Sequence, residues 1–301
     1  MARTPIPHNI TDVFRGSQAR KAGLVTLGQL RGHSFRRLFQ DVYAPAELPV
    51  THELRCRGAA LIVPKEAVLT GRSAATVRGV ELAKPHDPVE FIVPEEFRFG
   101  PIRGIHVRRT EVQRNESRHW QGIRIARPAR VALDLILRLS PRTHGWVRRL
   151  RIAVPDLDQY LKSQLVTVRR LQKFMHKRRN RGIILAREAV ALSDARAESR
   201  PESELRVVLI YGGYSPSPQH QLHHKGKFLG RLDLCLEGVK VAIEYDGRWH
   251  LRPEQVARDQ ARRSRMEAIG WQFVIVDAQQ LATDYAGILR RVRAASRRSC
   301  S

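Results

Sequence analysis

The stretch Phe228-Leu-Gly-Arg-Leu-Asp-Leu-Cys-Leu-Glu-Gly-Val-Lys-Val-Ala-Ile-Glu-Tyr-Asp246 decides the fold of the C-terminal part of this 301-residue chain. Apolar and polar residues alternate along it, and this period of two predicts a pair of strands in a half-buried sheet. Glu237-Gly238 is the expected turn, and a two-residue loop there pairs Leu236 with Val239. The predicted apolar face carries Leu232, Leu234, Leu236, Val239, Val241 and Ile243.

The opposite face of this predicted hairpin carries two acidic side chains, Asp233 and Glu244. With a two-residue loop, Asp233 lies opposite Ala242, and Glu244 is its diagonal neighbour at about 7–8 Å. Asp246 extends the same row. Because clustered acids repel one another, we expect a positive group between them: a metal ion, Lys240 or an arginine from the following helix. The alternative is an ordinary polar face of an antiparallel sheet.

Oxygen ligands of this kind suit Mg²⁺ or Mn²⁺, which can activate a water molecule and stabilise charge on a phosphate. The acidic face therefore predicts phosphodiester hydrolysis. A third acid, Glu202, lies in a predicted helix from Pro201 to Ile210, on the same face as Leu205 and Leu209. Because those leucines point at the sheet, Glu202 is expected to point inward. Favourable charge at a helix N-terminus is the alternative explanation for Glu202.

The segment after the hairpin completes the predicted order of helices and strands along the chain, αβββαβα. His250, just beyond the strand end, is a candidate general acid, base or phosphate contact, with a packed or capping histidine as the alternative. A helix over Glu254–Ile269 and a buried parallel strand over Trp271–Val276 make a crossover that covers the acidic face. The predicted DNA-contacting stripe of this helix consists of Arg258, Arg262 and Arg265.

These motifs resemble the restriction-endonuclease-like proteins related to the very-short-patch-repair (Vsr) endonucleases. The resemblance covers residues 199 to about 282 and is carried by Arg231-Leu-Asp233, Val241-Ala-Ile-Glu-Tyr-Asp-Gly-Arg-Trp-His250 and Gly270-Trp271. It implies a PD-(D/E)xK-type αβββαβ core in an α/β chain. The implied catalytic set is Asp233, Glu244, Glu202, Asp246 and His250, with Asp233 and Glu244 as the metal ligands.

The resemblance has one departure. Two residues after Glu244 the general pattern has a lysine, and this chain has Asp246. Vsr-like enzymes also depart there and use histidine, so His250 is the matching candidate. A catalytically inactive nuclease fold kept as a DNA-binding module would carry nearly the same residues.

The N-terminal region shows a helix-turn-helix rhythm. Short helices are predicted over Thr11–Phe14, Ser17–Ala22 and Thr26–Leu30, with Ser17 and Thr26 as N-caps and Gly23 as a helix stop. The third helix would read DNA, and a strand over Leu38–Ala44 would form a wing. The candidate DNA-binding residues here are Arg31, Arg36 and Arg37.

This region, from Ile10 to about Pro45, resembles the winged-helix domain of AbiEi-type antitoxins, which implies operator binding and regulation. A solvated basic surface on a small helical bundle is the alternative.

The predicted domains are 8–48 (winged helix), 50–140 (an α+β middle domain), 141–198 (a basic helical linker) and 199–296 (the endonuclease-like domain). In the middle domain we expect a helix over Leu54–Val63, strands at Val89–Val93 and Ile102–Arg109, and a helix over Pro128–Leu139.

Composition favours a nucleic-acid partner. The chain has 54 Lys and Arg against 29 Asp and Glu, a net charge of +25, and a surface this basic attracts polyanions. An arginine-biased genome is the alternative cause. Aromatic residues make up only 6% of the chain, which favours duplex or backbone contacts over base stacking. The partner is therefore expected to be DNA, with a toxin or a second copy of the chain as further candidates.

Other protein classes are disfavoured. Ala59–Val63 and Val131–Leu137 are far shorter than the roughly 20 residues of a membrane span, and the N-terminus has no apolar run of a secretory signal. Three scattered cysteines, Cys56, Cys235 and Cys300, give neither a disulfide framework nor a paired zinc-ligand spacing. We therefore expect a cytoplasmic protein without membrane attachment. His220, His223 and His224 are expected to be sheet-surface residues.

Overall fold

The computed structural model describes residues 10–139, 141–247 and 253–298, and it has the expected α/β composition of helices and mixed sheets. The chain divides into two compact units, one ending at Arg138 and the other beginning at Leu139. Among the described residues, no helix is both long and apolar enough to cross a bilayer. The further division into four predicted domains stays a prediction.

The first unit contains β1 (Phe14–Arg15), α1 (Gly16–Lys21), α2 (Leu27–Arg31), β2 (Phe35–Phe39), β3 (Val42–Pro45), α3 (His52–Ala60), β4 (Val68–Leu69), α4 (Gly71–Val77), β5 (Val89–Val93), β6 (Ile105–Arg109), a 3-10 turn at Arg114–Glu116, β7 (Ser117–Trp120), β8 (Ile123–Ala126) and α5 (Pro128–Leu137).

The N-terminal helices differ in part from the predicted rhythm. The expected helix at Thr11–Phe14 is absent from the described residues, because Phe14 instead begins β1 and pairs with Tyr43 of β3. Ser17 lies inside α1 rather than capping it, and its hydroxyl donates to Asp41. Thr26 does cap α2, through a reciprocal capping box with its third helical residue. Two short helices and a small sheet of order β1-β3-β2 result.

The predicted wing strand over Leu38–Ala44 is interrupted. Asp41 has a φ of +59°, and this left-handed residue closes a hairpin between β2 and β3. The middle region contains the predicted helices and strands as α3, β5, β6 and α5. It also contains α4, which was not predicted, and β4, β7 and β8, whose two to four residues are too few to show a period. Its sheet has the order β6-β5-β4-β8-β7.

The second unit contains α6 (Trp146–Lys162), α7 (Val168–His176), α8 (Ile183–Leu192), α9 (Arg200–Tyr211), β9 (Ser217–His224), β10 (Lys227–Leu236), a 3-10 turn at Glu237–Val239, β11 (Val241–Asp246), α10 (Pro253–Glu267), β12 (Gln272–Asp277), α11 (Ala278–Thr283) and α12 (Tyr285–Arg298). The basic segment predicted as helical forms α6 to α8, and the strand and helix order from α9 onward follows the prediction, with two closing helices in place of one.

The sheet of the second unit has the order β12-β11-β10-β9. Neighbours β9, β10 and β11 are antiparallel, whereas β11 and β12 are parallel and joined through α10. One face packs against α9 and α12 through residues such as Leu209, Leu234 and Val292. Met266 of α10 packs on the other face with Cys235 and Ala242. The predicted crossover over the acidic face is therefore present.

The register of the central hairpin corrects the prediction. Leu236 pairs with Val241 rather than Val239, because Glu237–Val239 forms a 3-10 turn and Lys240 follows with a φ of +45°. The loop thus has four residues instead of two. Continuing the register by one pair past Leu234 and Ile243 sets Asp233 directly opposite Glu244, so the two acids are closer neighbours than the predicted diagonal pair.

The apolar face also differs at one position. Leu232 packs with Cys235, Ala242 and Met266, on the face toward α10, and not with Leu234. β10 has a register irregularity between Phe228 and Gly230, and such a bulge twists the strand locally. A second distortion lies between the two leucines: Gln219, which stands between their partners His220 and Pro218 on β9, has a φ of +54°.

Candidate functional site

Glu202 is held at the start of α9. The hydroxyl of Ser199 caps this helix by accepting from the Glu202 backbone N–H at 3.3 Å. Leu205 and Leu209 bury the same helical face against the sheet, as their spacing predicts. Glu202 is only 8% exposed, and its carboxylate accepts from the backbone N–H of Glu198 at 3.1 Å. The helix thus directs a carboxylate inward at the sheet edge.

Gln219 of β9 is a site residue that sequence analysis missed. Its Nε2 donates to Glu202 Oε2 at 2.7 Å, which connects β9 to α9. Its Oε1 is buried and has no hydrogen-bond partner among the described residues. The backbone of Gln219 has a φ of +54°, a left-handed conformation that non-glycine residues rarely adopt. Strain and an unpartnered buried oxygen at one residue are features of functional sites. The sequence shows only a single polar residue in a predicted strand, and such a residue does not indicate a role in the site.

Asp233 is the least compensated acid of the group. It is half-buried on β10, and its Oδ2 accepts a long hydrogen bond of 3.4 Å from the Tyr245 backbone N–H. Burial, followed by repulsion from Glu202 and Glu244, raises the pKa of Asp233 to about 6. Carboxylates from α9, β10 and β11 are therefore close enough to repel one another.

Glu244 has positive partners of its own. It is 5% exposed, and Arg262 Nη2 lies 2.8 Å from its Oε1, while Arg263 Nε lies 3.0 Å from its Oε2. Arg262 also donates to the backbone oxygen of Arg231. Of the three positive groups expected beside the acids, the arginine of the following helix is the one found at Glu244. Arg263 was not predicted, because it lies one residue outside the helical stripe.

The other predicted catalytic residues are less closely associated. Asp246 ends β11 half-buried, in register with Asp277 of β12. His250 lies outside the described residues. Arg258 and Arg265 are exposed on α10, whereas Arg262 of the same predicted stripe is turned toward Glu244.

The predicted DNA-contacting residues of the first unit are all exposed. Arg31 ends α2, and Arg36 and Arg37 lie on β2. Arg36 donates to the backbone oxygens of Ala46 and Leu48, each at 3.2 Å, and Arg37 donates to that of Phe39. These contacts orient the guanidinium groups without neutralising them.

The donor set of the acidic centre fits a hard divalent cation. Asp233, Glu202 and Glu244 offer carboxylate oxygens, and Gln219 offers an unpartnered amide oxygen. Mg²⁺ and Mn²⁺ prefer oxygen ligands, and a cation would relieve the repulsion that raises the pKa of Asp233. Glu244 is the least available of these ligands, because two arginines already bind it.

The chain is 31% identical over 149 residues to two proteins of Mycobacterium tuberculosis, the uncharacterized proteins MT2308 (strain CDC 1551) and Rv2248 (strain H37Rv). Each match covers 48% of this chain and 55% of the relative, so the chain spans about half the length of the curated relatives it matches. No family model matches the chain. No solved structure matches it either.

Proposed function

We propose that this chain is a DNA-binding protein whose C-terminal unit contains a metal-dependent endonuclease centre. The observation that carries the proposal is Asp233, a half-buried carboxyl whose pKa is raised to about 6 by burial, Glu202 and Glu244. Uncompensated acids cost stability, and a cation between them would recover it. The resemblance to Vsr-like endonucleases gives the same residues the same roles.

Asp233 and Glu244 would hold Mg²⁺ or Mn²⁺, with Glu202 beside them. The ion would supply an activated water and stabilise charge on the scissile phosphate. The remaining work belongs to the chain. Arg262 and Arg263 fix the Glu244 carboxylate by hydrogen bonds to both of its oxygens, and Gln219 fixes the Glu202 carboxylate by one hydrogen bond to Oε2.

Binding of DNA is supported by charge. The net charge of +25 favours a polyanionic partner, and the release of counterions from phosphates would provide affinity. Exposed guanidinium groups are available in both units, Arg36 and Arg37 in the first and Arg258 and Arg265 in the second. We propose that they contact the phosphate backbone.

Plasmid nicking by the full chain tests the proposed activity. Wild type is expected to nick supercoiled DNA with Mg²⁺ or Mn²⁺ and not with a chelator. Asp233→Asn should lower the nicking rate at least about 100-fold, because the central ligand loses its charge. Glu267→Gln removes an exposed acid of the neighbouring helix and should nick like wild type. Equal nicking by wild type and Asp233→Asn would overturn the assignment.

A second candidate function is an antitoxin-like transcriptional regulator with an inactive nuclease fold. It is favoured by the two arginines that already neutralise Glu244 and by Asp246 at the position of the pattern's lysine. A cognate toxin or a second copy of the chain would then be the protein partner. Wild type that binds DNA but does not nick it would select this candidate.

Footprinting tests the regulator. A defined protected site is expected, and Arg36→Ala with Arg37→Ala should weaken binding and lower its dependence on salt, because two phosphate contacts are lost. Protection without any preferred sequence would exclude an operator-binding role.

A further inference from the structure

A second group of potential metal ligands lies on the sheet of the C-terminal unit, apart from the carboxylates described above. His220 comes from β9, Cys235 from the end of β10 and Glu237 from the 3-10 turn that follows. One ligand atom from each residue lies within 4.8 Å of those of the other two. Cys235 is two residues beyond Asp233, so the group adjoins the acidic centre along one strand without sharing a residue with it.

The spacing of the group suits a tetrahedral ion. His220 Nδ1 lies 3.3 Å from Glu237 Oε1. A nitrogen and an oxygen bound at about 2.0–2.1 Å to one tetrahedral Zn²⁺ are about 3.3 Å apart, so this pair is already at a ligand-to-ligand distance. A sulfur ligand at about 2.3 Å requires a separation of about 3.6 Å from each, which small side-chain rotations can supply.

Exposure provides an entry path. Cys235 is fully buried, in an apolar cluster with Leu222 and Trp271. The side chains of His220 and Glu237 are 27% and 54% exposed. An ion could therefore reach the buried sulfur from the solvent side of the turn, and its fourth coordination position would face water.

The donor atoms select the metal. A set of one sulfur, one nitrogen and one oxygen is unsuited to Mg²⁺, which prefers oxygen alone. Zn²⁺ accepts all three, and three protein ligands with one open position are an established arrangement for it. We propose that His220, Cys235 and Glu237 form a Zn²⁺ site with a solvent molecule as the fourth ligand.

Binding must be linked to a proton. Zn²⁺ binds the thiolate, whereas a metal-free cysteine thiol is ordinarily protonated at neutral pH. The S–H bond breaks as the Zn–S bond forms, and the proton leaves to the buffer. Zn²⁺ affinity should therefore rise about tenfold per pH unit through the neutral range.

Metal titration of the full chain tests the site. Zn²⁺ is titrated by calorimetry in buffers of different ionisation enthalpy, and Co²⁺ is titrated with absorption spectroscopy as a coloured substitute. With excess Mg²⁺ present to occupy the acidic centre, wild type is expected to bind one Zn²⁺ per chain with release of a proton. With Co²⁺ it is expected to show a thiolate-to-cobalt charge-transfer band. The Trp271 ring lies 6.1 Å from the His220 ring, so Co²⁺ should also quench its fluorescence.

Three variants make the test specific. Cys235→Ser should abolish the charge-transfer band and lower Zn²⁺ affinity at least about 100-fold. Cys56→Ser alters the other buried cysteine that the structure describes, and this variant should keep the charge-transfer band and the Zn²⁺ affinity of wild type. Asp233→Asn should also bind Zn²⁺ like wild type, which separates this site from the proposed nuclease centre.

Glu237→Gln tests the site even if the cysteine variant misfolds, because the exposed Glu237 side chain can change without disturbing the core. This variant should lower Zn²⁺ affinity about tenfold and keep the charge-transfer band. The proposal fails if wild type gives no band with Co²⁺, or if Cys235→Ser and wild type bind Zn²⁺ equally.

Discussion

Buried charge is handled in opposite ways at two sites, one in each unit. In the first unit, Arg130 is 2% exposed and binds both Glu116 and Asp134, and Arg108 binds Asp134 as well. Burial raises the pKa of Asp134, but Arg108 and Arg130 outweigh it and hold that pKa below its usual value. Thr70 donates a further hydrogen bond to the same carboxylate. Every acid of this group has a cation.

In the second unit, the largest charge effects on Asp233 come from carboxylates. Its pKa is raised by burial, by Glu202 and by Glu244, and the attraction of Arg262 is its smallest contribution. Sequence composition is similar in both places, since each combines acids with abundant arginine. At these two sites, arginine partners distinguish a structural charge network from a candidate catalytic centre. Pairing does not decide the pKa everywhere, because burial raises the pKa of Asp158 to about 6 although Arg206 binds it.

Removing the shared cation of the first unit should have the largest effect. Arg130→Met leaves two buried carboxylates without their main partner and should lower the free energy of unfolding by about 3–5 kcal/mol. Urea denaturation followed by circular dichroism measures this change. Arg196→Met breaks an ion pair whose arginine side chain is 63% exposed and should cost less than about 1 kcal/mol. Similar losses in the two variants would contradict the distinction.

Neutralising the central acid of the second unit should stabilise the protein. Asp233 has a pKa of about 6 in the folded protein against an ordinary value of 3.8, so the folded protein holds the proton more tightly. The stability from this proton is complete below about pH 4 and is lost as pH rises through about 6. Asp233→Asn should therefore be more stable than wild type by about 1–2 kcal/mol at pH 7.5, after screening by solvent.

Urea titrations between pH 4 and 8 check this pH dependence. For Asp134→Asn the expected change in stability at pH 7.5 has the opposite sign. The pKa of Asp134 is lowered, so its charge stabilises the folded protein above the unfolded pKa, and this stabilisation is lost as pH falls. Its replacement should destabilise at pH 7.5 and matter less in acid. If both variants change stability in the same direction at pH 7.5, the comparison is wrong.

The smallest expected effect concerns the cation nearest to the acidic centre. Arg262→Gln removes an attraction to Asp233 and one of the two partners of Glu244. The pKa of Asp233 should rise further, which moves the midpoint of the stability loss upward by about half a pH unit. The same urea titrations detect the shift. Arg265→Gln, on the exposed side of the helix, should leave the midpoint unchanged.

Much of the C-terminal fold was predictable, because the strand alternation and the helix start and stop signals indicate the same order of elements there. The alternation along β10 and β11, the proline and glycines at the ends of α9, and the apolar β12 all indicate the observed order. The hairpin register was not predictable, because the 3-10 turn before Lys240 consumes two extra residues with no strong turn signature. At the N-terminus, pairing of Phe14 with β3 overrides the local helical signal.

The acidic residues of the candidate site were predictable from the sequence, whereas the residues that hydrogen-bond to them were not. Asp233, Glu202 and Glu244 follow from face arguments, since strand and helix periods fix which side chains point inward. Gln219 and Arg263 acquire their positions from tertiary packing, which a pattern of period two or 3.6 does not contain. His220, Cys235 and Glu237 come from different elements, so no linear ligand spacing identifies them.

The register of β10 and β11 limits how related sequences can change. Val241 and Ile243 are buried with Leu234 and Leu236, so these side chains hold the register, and an extra residue in the turn would loop out. An extra residue inside β11, between Ile243 and Glu244, would instead turn Glu244 to the other side of the sheet. A relative that keeps both acids but has such an insertion should therefore have lost the centre.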